Sequence, residues 1–226
     1  MPRQRMIIPI FIPHQGCPYR CVFCNQNEIS GTEKEEDQAR LDNAFNTYLN
    51  SRPLKELAPI REAAFYGGTF TALPVQRQEF LLSSVQAWVE QGYIQNLRLS
   101  THPGAVNTEA LELLSKYSVK TIELGVQSTD PNVLRQSGRG DTPEALRRAV
   151  DLIRSKGYQL GLQLMLGLPG DSEGIFQQSV SDTLQFEPDF VRIYPALVVR
   201  GTALHEMYEA GKYAPWSLDR TVNALK

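Results

Sequence analysis

Cysteine is scarce in this chain: only three of its 226 residues are cysteines, and all three lie in one short stretch. An odd number of cysteines in a single loop argues against a disulfide framework of the kind that stabilises small secreted proteins. The absence of a second cysteine group argues against a structural zinc site, which usually combines two separated half-motifs. A zinc ion held by the three cysteines and the nearby His14 is left open at this point.

Long apolar runs and an excess of one charge are also missing. No run reaches the roughly eighteen apolar residues of a transmembrane helix, so we expect no membrane span. The N-terminal sequence MPRQRMIIPIF is too short in its apolar part, and too interrupted by proline, to be a signal peptide. The net charge of −2 gives no support to nucleic-acid binding, although it leaves a local basic patch open. We therefore expect a cytoplasmic protein, because a reducing compartment suits free thiolates.

The cysteines that are present have an informative spacing. Cys17, Cys21 and Cys24 form the pattern C-x3-C-x2-C within HQGCPYRCVFC. Soft thiolates are the usual ligands of iron–sulfur clusters, and four of them close an electron-transfer cluster. Three thiolates leave one iron without a protein ligand, as catalytic metal centres leave one position open. The spacing predicts a [4Fe-4S] cluster whose fourth iron can bind a small molecule.

The order of apolar and amphipathic segments predicts the fold class. The cysteines follow RMIIPIFIP, at residues 5–13, which we predict to be the first β-strand. Short apolar runs then alternate with longer amphipathic ones, which is typical of a parallel sheet covered by helices with right-handed crossovers. We predict further strands at 62–66, 96–101, 119–126, 158–166 and 189–194, and helices at 33–49, 74–89, 107–117, 142–156, one ending near 186, and 217–226. Periodicity alone leaves open whether this α/β sheet curls into a partial (β/α)6 barrel or is doubly wound.

Individual residues sharpen these helix predictions. Asn107 and Thr142 are plausible N-caps, and Gly157 is expected to end the helix that Thr142 begins. In the helix over 74–89, we expect Phe80 and the neighbouring apolar residues Leu81, Val85 and Trp88 to point inward.

The residue before the third cysteine adds a family resemblance. Phe23 completes the pattern C-x3-C-x-aromatic-C after a first strand, and in this motif the chain resembles the radical S-adenosylmethionine (radical SAM) enzymes. The resemblance implies a partial (β/α)6 TIM-type barrel and S-adenosylmethionine (SAM) as a second cofactor, chelated to the open iron. It also implies an electron donor such as flavodoxin or ferredoxin. Electron transfer then cleaves SAM to a 5′-deoxyadenosyl radical, which abstracts hydrogen from a substrate.

The same resemblance implies SAM contacts elsewhere in the chain. The turn Gly67-Gly68-Thr69 matches the glycine-rich turn that binds the methionine amino group. Gln127, in ELGVQS, and Arg139, in GRGD, match two subgroups of the family. These are the catalytic subunit of Elongator, which modifies tRNA wobble uridines, and the oxygen-independent coproporphyrinogen oxidase of haem synthesis. Arg139 is expected to meet the SAM carboxylate through a bidentate contact.

At two further positions the chain departs from the coproporphyrinogen oxidase pattern. Ser100 stands where a glutamate is expected at the end of the third strand, and Gln163 stands where an aspartate is expected on the fifth. Hydroxyl and amide groups both donate and accept hydrogen bonds, so we keep Ser100 and Gln163 as SAM contacts.

The sequence says least about the substrate. The Elongator-like resemblance implies tRNA or a nucleotide. An anionic tetrapyrrole is the alternative substrate, and a cluster- or SAM-binding module without chemistry is the alternative function. His14, His102 and His205 lie near predicted strand ends and are candidate acids or bases, or structural groups. We expect residues 1–226 to form a single radical SAM core domain, either minimal or truncated at its C-terminal end, because the last helical pattern stops midway.

Overall fold

One parallel sheet with its strands in chain order is the framework of the molecule. The computed structural model describes residues 5–13, 15–25, 28, 37–50 and 60–226. Within them each strand pairs in parallel with the next, and β1 and β6 form the two edges. A doubly wound sheet would instead reverse its strand order at a switch point, so the predicted partial (β/α)6 barrel is confirmed. The strands are β1 (Arg5–Phe11), β2 (Ile60–Tyr66), β3 (Asn96–Thr101), β4 (Val119–Gln127), β5 (Gln159–Leu166) and β6 (Phe190–Pro195).

Helices follow the strands and cover the convex side of the sheet. Two of them, α4 and α7, with six and seven residues, were not predicted. The predicted first turn of α1, at 33–36, lies outside the described residues. No helix in the described ranges combines the length and apolar character needed to cross a bilayer. The helices are α1 (Asp37–Leu49), α2 (Val75–Glu90), α3 (Thr108–Leu114), α4 (Pro131–Gln136), α5 (Pro143–Ser155), α6 (Glu173–Leu184), α7 (Ala203–Glu209) and α8 (Leu218–Ala224).

The predicted helix boundaries at two caps and one stop are confirmed. Asn107 Oδ1 accepts a hydrogen bond from Ala110 N at 2.8 Å, and Thr142 Oγ1 accepts one from Ala145 N at 3.2 Å. Gly157 has a φ of +77°, a left-handed conformation that ends α5 and returns the chain to the sheet.

The two faces of the sheet differ in chemistry. Because alternate residues of a strand point to opposite faces, β4 directs Ile122 and Leu124 towards the helices and Glu123 towards the inside of the curled sheet. The outer face is part of a continuous apolar core that also contains Leu99 and Leu162, all of them buried. The inner face is polar, and its side chains are the ones that surround the candidate site.

The prediction that Phe80 points inward is wrong. Phe80 is 42% exposed, while Leu81, Leu82 and Val85 are buried. The buried position one turn earlier belongs to Gln78, which lies on the same helical face as these residues. Its Nε2 donates to two backbone carbonyls of the preceding segment at 2.8 and 3.3 Å, which pairs the amide nitrogen in the core.

Candidate cofactor site

The cysteine loop leaves the C-terminal end of β1 and packs against the glycine-rich turn that follows β2. Thr69 N donates to the Gln15 carbonyl at 2.8 Å, and Thr69 Oγ1 donates to Cys17 Sγ at 3.6 Å. The packing requires glycine on both sides. A Cβ at Gly68 would lie 2.5 Å from the Gln15 carbonyl oxygen, and a Cβ at Gly16 would overlap the Thr69 carbonyl oxygen. The structure therefore joins the predicted cluster loop to the predicted methionine-binding turn.

The opposite side of the loop is held by the segments that end α4 and begin α7. Val22 N donates to the Ser137 carbonyl at 3.0 Å, and Leu204 N donates to the Val22 carbonyl at 2.8 Å. Gly138 has a φ of +72°, and a Cβ there would come within 3.0 Å of the Arg20 carbonyl oxygen. Backbone from three separate parts of the chain thus fixes the loop that carries the thiols.

Arg139 connects this loop to β4. Its Nη1 donates to Cys21 Sγ at 3.6 Å, its Nη2 donates to the Gly125 carbonyl at 2.6 Å, and its Nε donates to Asp141 Oδ2 at 2.6 Å. Burial raises the pKa of the Cys21 thiol, and the positive charge of Arg139 partly offsets that rise. Only 6% of the Arg139 side chain is exposed, so the guanidinium is buried beside a predicted cluster ligand.

Gln127 is strained and has an unsatisfied oxygen. Its φ of +69° is uncommon for a residue other than glycine. The register between β4 and β5 shifts between Gly125 and Gln127. The Gln127 Oε1 atom is buried and has no hydrogen-bond partner within the described part of the chain. Because buried polar atoms are normally paired, this oxygen marks a place where a bound group could donate a hydrogen bond.

The remaining predicted SAM contacts have protein partners. Gln163 Nε2 donates to Ser100 Oγ at 3.1 Å and to Glu123 Oε2 at 2.9 Å. Ser100 and Gln163 therefore meet each other on the inner face of the sheet. Gly67, with a φ of +85°, opens the turn that precedes Thr69.

Phe23 has apolar rather than polar neighbours. It packs against a small apolar cluster built by Val133, Leu168 and Ala196. The aromatic ring thus helps to anchor the cysteine loop on α4 and on the segments that follow β5 and β6.

Sequence reasoning missed the centre of the inner face, which is Glu123. This carboxylate is fully buried. Its Oε1 accepts from Arg98 Nε at 2.8 Å and from the Tyr66 hydroxyl at 3.0 Å, while Oε2 accepts from Arg192 Nη1 at 3.1 Å as well as from Gln163. Burial and the charge of Glu123 raise the pKa of Tyr66 far above its ordinary value. The glutamate between Ile122 and Leu124 was a visible signal, but its partners on other strands were not.

A second carboxylate balances this cluster. Arg98 Nη1 lies 3.2 Å from Glu62 Oε2, so Arg98 is held between Glu62 and Glu123. Arg192 is about one-third exposed and stacks over the Tyr66 ring at 5.3 Å. Burial opposes ionisation of Arg192, but the nearby Glu123 outweighs it and raises the pKa of the guanidinium.

His102 and His205 have different surroundings. His102 Nδ1 accepts from Gly104 N at 3.0 Å, and its Nε2 lies 2.5 Å from Asp141 Oδ1. His205 lies on α7, where its Nε2 is 3.8 Å from the exposed Glu209 carboxylate. His14 lies outside the described residues. The alternative of a zinc ion held by His14 and the three cysteines is therefore not tested by this structure.

The donor set fits an iron–sulfur cluster with an amino-acid ligand. None of the three cysteines forms a disulfide. Across the described ranges, no three His, Cys, Asp or Glu side chains converge closely enough to hold one metal ion. A four-iron cluster places its three thiolates on three different irons, so it does not require that convergence. The neighbouring guanidinium and the unpaired Gln127 oxygen supply partners for a carboxylate and for a hydrogen-bond donor.

Comparison with known proteins gives two family matches. The model described as the Radical SAM superfamily matches residues 11–182. The model described as the Radical_SAM C-terminal domain matches residues 188–226.

Individual relatives agree with these matches. The chain is 23% identical over 257 residues to the tRNA uridine(34) acetyltransferase of Methanocaldococcus jannaschii, an alignment that covers 97% of this chain and 47% of the relative. It is 27% identical over 203 residues to Elongator complex protein 3 of Mus musculus, covering 80% of this chain and 37% of the relative. The chain thus spans about half, or less, of the length of these curated relatives.

Solved structures show the same fold. An N-terminally deleted Elp3 from the archaeon Methanocaldococcus infernus superposes with a TM-score of 0.74 at 21% identity, over 98% of this chain and 52% of that one. Coproporphyrinogen III oxidase (HemN) from Escherichia coli superposes with a TM-score of 0.66 at 18% identity, over 99% of this chain and 51% of that one. At these identities the likeness concerns the fold.

Proposed function

The chain belongs to the radical SAM superfamily, whose model covers residues 11–182, and we propose that this enzyme cleaves SAM reductively at a [4Fe-4S] cluster in order to modify a nucleotide substrate. Cys17, Cys21 and Cys24 would hold three of the four irons. When bound, the cluster and SAM supply a 5′-deoxyadenosyl radical as the hydrogen-abstracting species. The observation that carries the proposal is that the cysteine loop contacts the turn after β2 and Arg139, which in turn contacts the end of β4, where Gln127 lies.

Each of these residues has a defined task in the proposal. Arg139 uses three of the five N–H donors of a guanidinium on protein acceptors, which leaves donors for the SAM carboxylate. The turn at Gly67 and Gly68 lets backbone approach the methionine amino group. The unpaired Gln127 Oε1 would accept a hydrogen bond from the bound cofactor.

The substrate class is inferred from the relatives together with the inner face. The M. jannaschii relative is named for tRNA uridine(34), and we infer that this chain also acts on RNA. Acetyl transfer is not carried over, because the chain spans 47% of that relative. Arg192, about one-third exposed at the inner face, is a cation that an anionic substrate group could reach.

The cofactor part is tested by anaerobic reconstitution. Purified protein is supplied with iron and sulfide and then reduced with dithionite in place of a flavodoxin or ferredoxin. We expect about four irons per chain, a brown chromophore and SAM-dependent release of 5′-deoxyadenosine. Cys21→Ala should lose the cluster. Val22→Ala, which shortens a side chain of the same loop that is not a ligand, should keep it. Zinc without iron in the wild type, or full iron content in Cys21→Ala, contradicts the assignment.

The substrate part needs a separate experiment. The reconstituted protein is incubated with SAM and either tRNA from cells that lack this protein or coproporphyrinogen III. We expect tRNA to increase 5′-deoxyadenosine release. Stimulation by the tetrapyrrole alone would favour the coproporphyrinogen oxidase alternative. An intact cluster without SAM cleavage would favour a binding module.

A further inference from the structure

A continuous chain of polar contacts runs from the end of β3 to the cysteine loop. His102 Nε2 lies 2.5 Å from Asp141 Oδ1, and Asp141 Oδ2 accepts from Arg139 Nε at 2.6 Å. Arg139 in turn donates to Cys21 Sγ at 3.6 Å and to the Gly125 carbonyl at 2.6 Å. The side chains of His102, Asp141 and Arg139 are each more than nine-tenths buried. Buried charges of this kind interact strongly and are sensitive to small changes in geometry.

The histidine at the far end of this chain is itself held in one orientation. The Gly104 N–H donates to His102 Nδ1 at 3.0 Å, so Nδ1 carries no proton, and Nε2 is the ring nitrogen that lies beside Asp141. The Tyr19 ring packs edge-on against the imidazole with ring centroids 5.1 Å apart. Gly140 lies under that ring, where a Cβ would come within 3.1 Å of the Tyr19 hydroxyl oxygen. The imidazole therefore has little freedom to turn away from the carboxylate.

We propose that His102 and Asp141 are positioning residues: Asp141, oriented by His102, holds the Arg139 guanidinium against the Cys21 sulfur and in place for the SAM carboxylate. The inference rests on the proposed function, because it takes Cys21 as a cluster ligand. A charged donor beside a ligand sulfur favours the reduced cluster, so the same contacts help to set the reduction potential.

The state of Asp141 is consistent with this role. Burial opposes ionisation of the carboxyl, but the contact with His102 and the charge of Arg139 outweigh it and hold its pKa below the ordinary value. The carboxylate is therefore charged at neutral pH and can fix the guanidinium.

A simpler explanation of Asp141, in which it only balances charge, makes the opposite prediction. If the carboxylate only neutralised Arg139, its removal would leave the positive charge of the guanidinium unbalanced. SAM would then bind more tightly and the cluster would be easier to reduce. If Asp141 positions Arg139, its removal releases the guanidinium, so that SAM binds more weakly and the potential falls. The signs of the changes in SAM affinity and in reduction potential distinguish the two explanations.

The test measures the reconstituted protein and its Asp141→Asn variant. We expect unchanged iron content, a midpoint potential below that of the wild type in an EPR-monitored titration without SAM, and SAM binding about tenfold weaker. His102→Gln should shift both quantities in the same direction by less. Asp37→Asn removes a carboxylate that pairs with Arg77 between α1 and α2, and it should shift neither. A raised potential with tighter SAM binding overturns the proposal.

Two further measurements show whether the effect passes through Arg139. In an Arg139→Gln background, Asp141→Asn should cause no additional shift of the potential, whereas an equal shift in both backgrounds would overturn the proposal. In protein without a cluster, the Arg139 Nε–H should exchange slowly with solvent by NMR in the wild type and at least about tenfold faster in Asp141→Asn. Equal exchange rates would also overturn it. A wild type that forms no cluster counts against the proposed function instead, and the exchange measurement then still decides this inference.

Discussion

The two faces of the sheet solve the problem of burial in different ways. On β4, Glu123 and Leu124 are neighbours in sequence, and both are fully buried, yet they point to opposite faces. Leu124 belongs to an apolar core that is specified by volume, while Glu123 is specified by four donors on β2, β3, β5 and β6. An apolar core tolerates swaps of similar volume, whereas a buried charge requires its partners. The outer face therefore stabilises the barrel, and the inner face fixes the positions of polar side chains around its interior.

The largest expected effect comes from removing one charge at nearly constant shape. Glu123→Gln leaves the buried Arg98 paired only with Glu62 and weakens the acceptor for Tyr66 and Arg192. Since breaking a buried ion pair leaves an uncompensated charge, we expect it to lower the free energy of unfolding by about 4 kcal/mol. Urea denaturation at pH 7 measures the change.

The matched control is Leu124→Met on the other face of the same strand. It conserves volume and polarity, so the cost should stay below about 1.5 kcal/mol. Equal losses in the two variants would show that the inner face, like the outer, is specified by volume alone.

A smaller effect is expected where the inner face is specified by shape. A Cβ at Gly161 would overlap the Phe190 ring and come within 3.0 Å of Glu123 Cγ. The Phe190 ring is itself covered by Arg98, whose guanidinium lies 5.1 Å from the ring centroid. Because both neighbours are held in place, Gly161→Ala should destabilise the protein by about 3 kcal/mol through overpacking.

Gly174 on α6 provides the comparison, since a Cβ there meets nothing within 4 Å. Gly174→Ala should raise the free energy of unfolding by about 0.5 kcal/mol, as alanine is the better helix former. A thermal melt of both variants tests the pair, and a Gly161→Ala protein as stable as the wild type would remove the steric argument.

The sequence predicted the outer face much better than the inner one. Each strand was placed to within two residues, and the caps at Asn107 and Thr142 were placed correctly, because periodicity and local hydrogen bonding act within a few residues. Phe80 was placed inward wrongly, since the buried face of the helix is formed by Gln78, Leu81 and the residues one turn further on, and Phe80 lies on the opposite side. The cluster around Glu123 joins residues 25 to 69 positions apart, and no local rule contains such pairings.

The candidate site shows the same division. The cysteine spacing and the glycine-rich turn are local motifs, and the structure places them in contact. Family resemblance, rather than periodicity, pointed to Gln127 and Arg139. The roles of Asp141 and His102 depend on where the loops after β3 and α4 meet, which only the folded chain determines.

The smallest expected effect compares one hydroxyl on each face. Tyr66 donates to the charged Glu123 carboxylate at 3.0 Å, and Tyr158 donates to the neutral Leu111 carbonyl at 3.1 Å. A hydrogen bond to a charged acceptor is worth more, so Tyr66→Phe should cost about 2 kcal/mol and Tyr158→Phe about 1 kcal/mol.

Burial raises the pKa of both phenols above the ordinary value of 10.0. Both contributions are therefore complete below pH 10 and shrink as the pH rises further, because the unfolded chain then ionises first. Denaturation at pH 8 and pH 11 should show a smaller difference between wild type and each variant at the higher pH. A Tyr66→Phe cost equal to that of Tyr158→Phe at pH 8 would mean that the charge of Glu123 is already satisfied by its arginines.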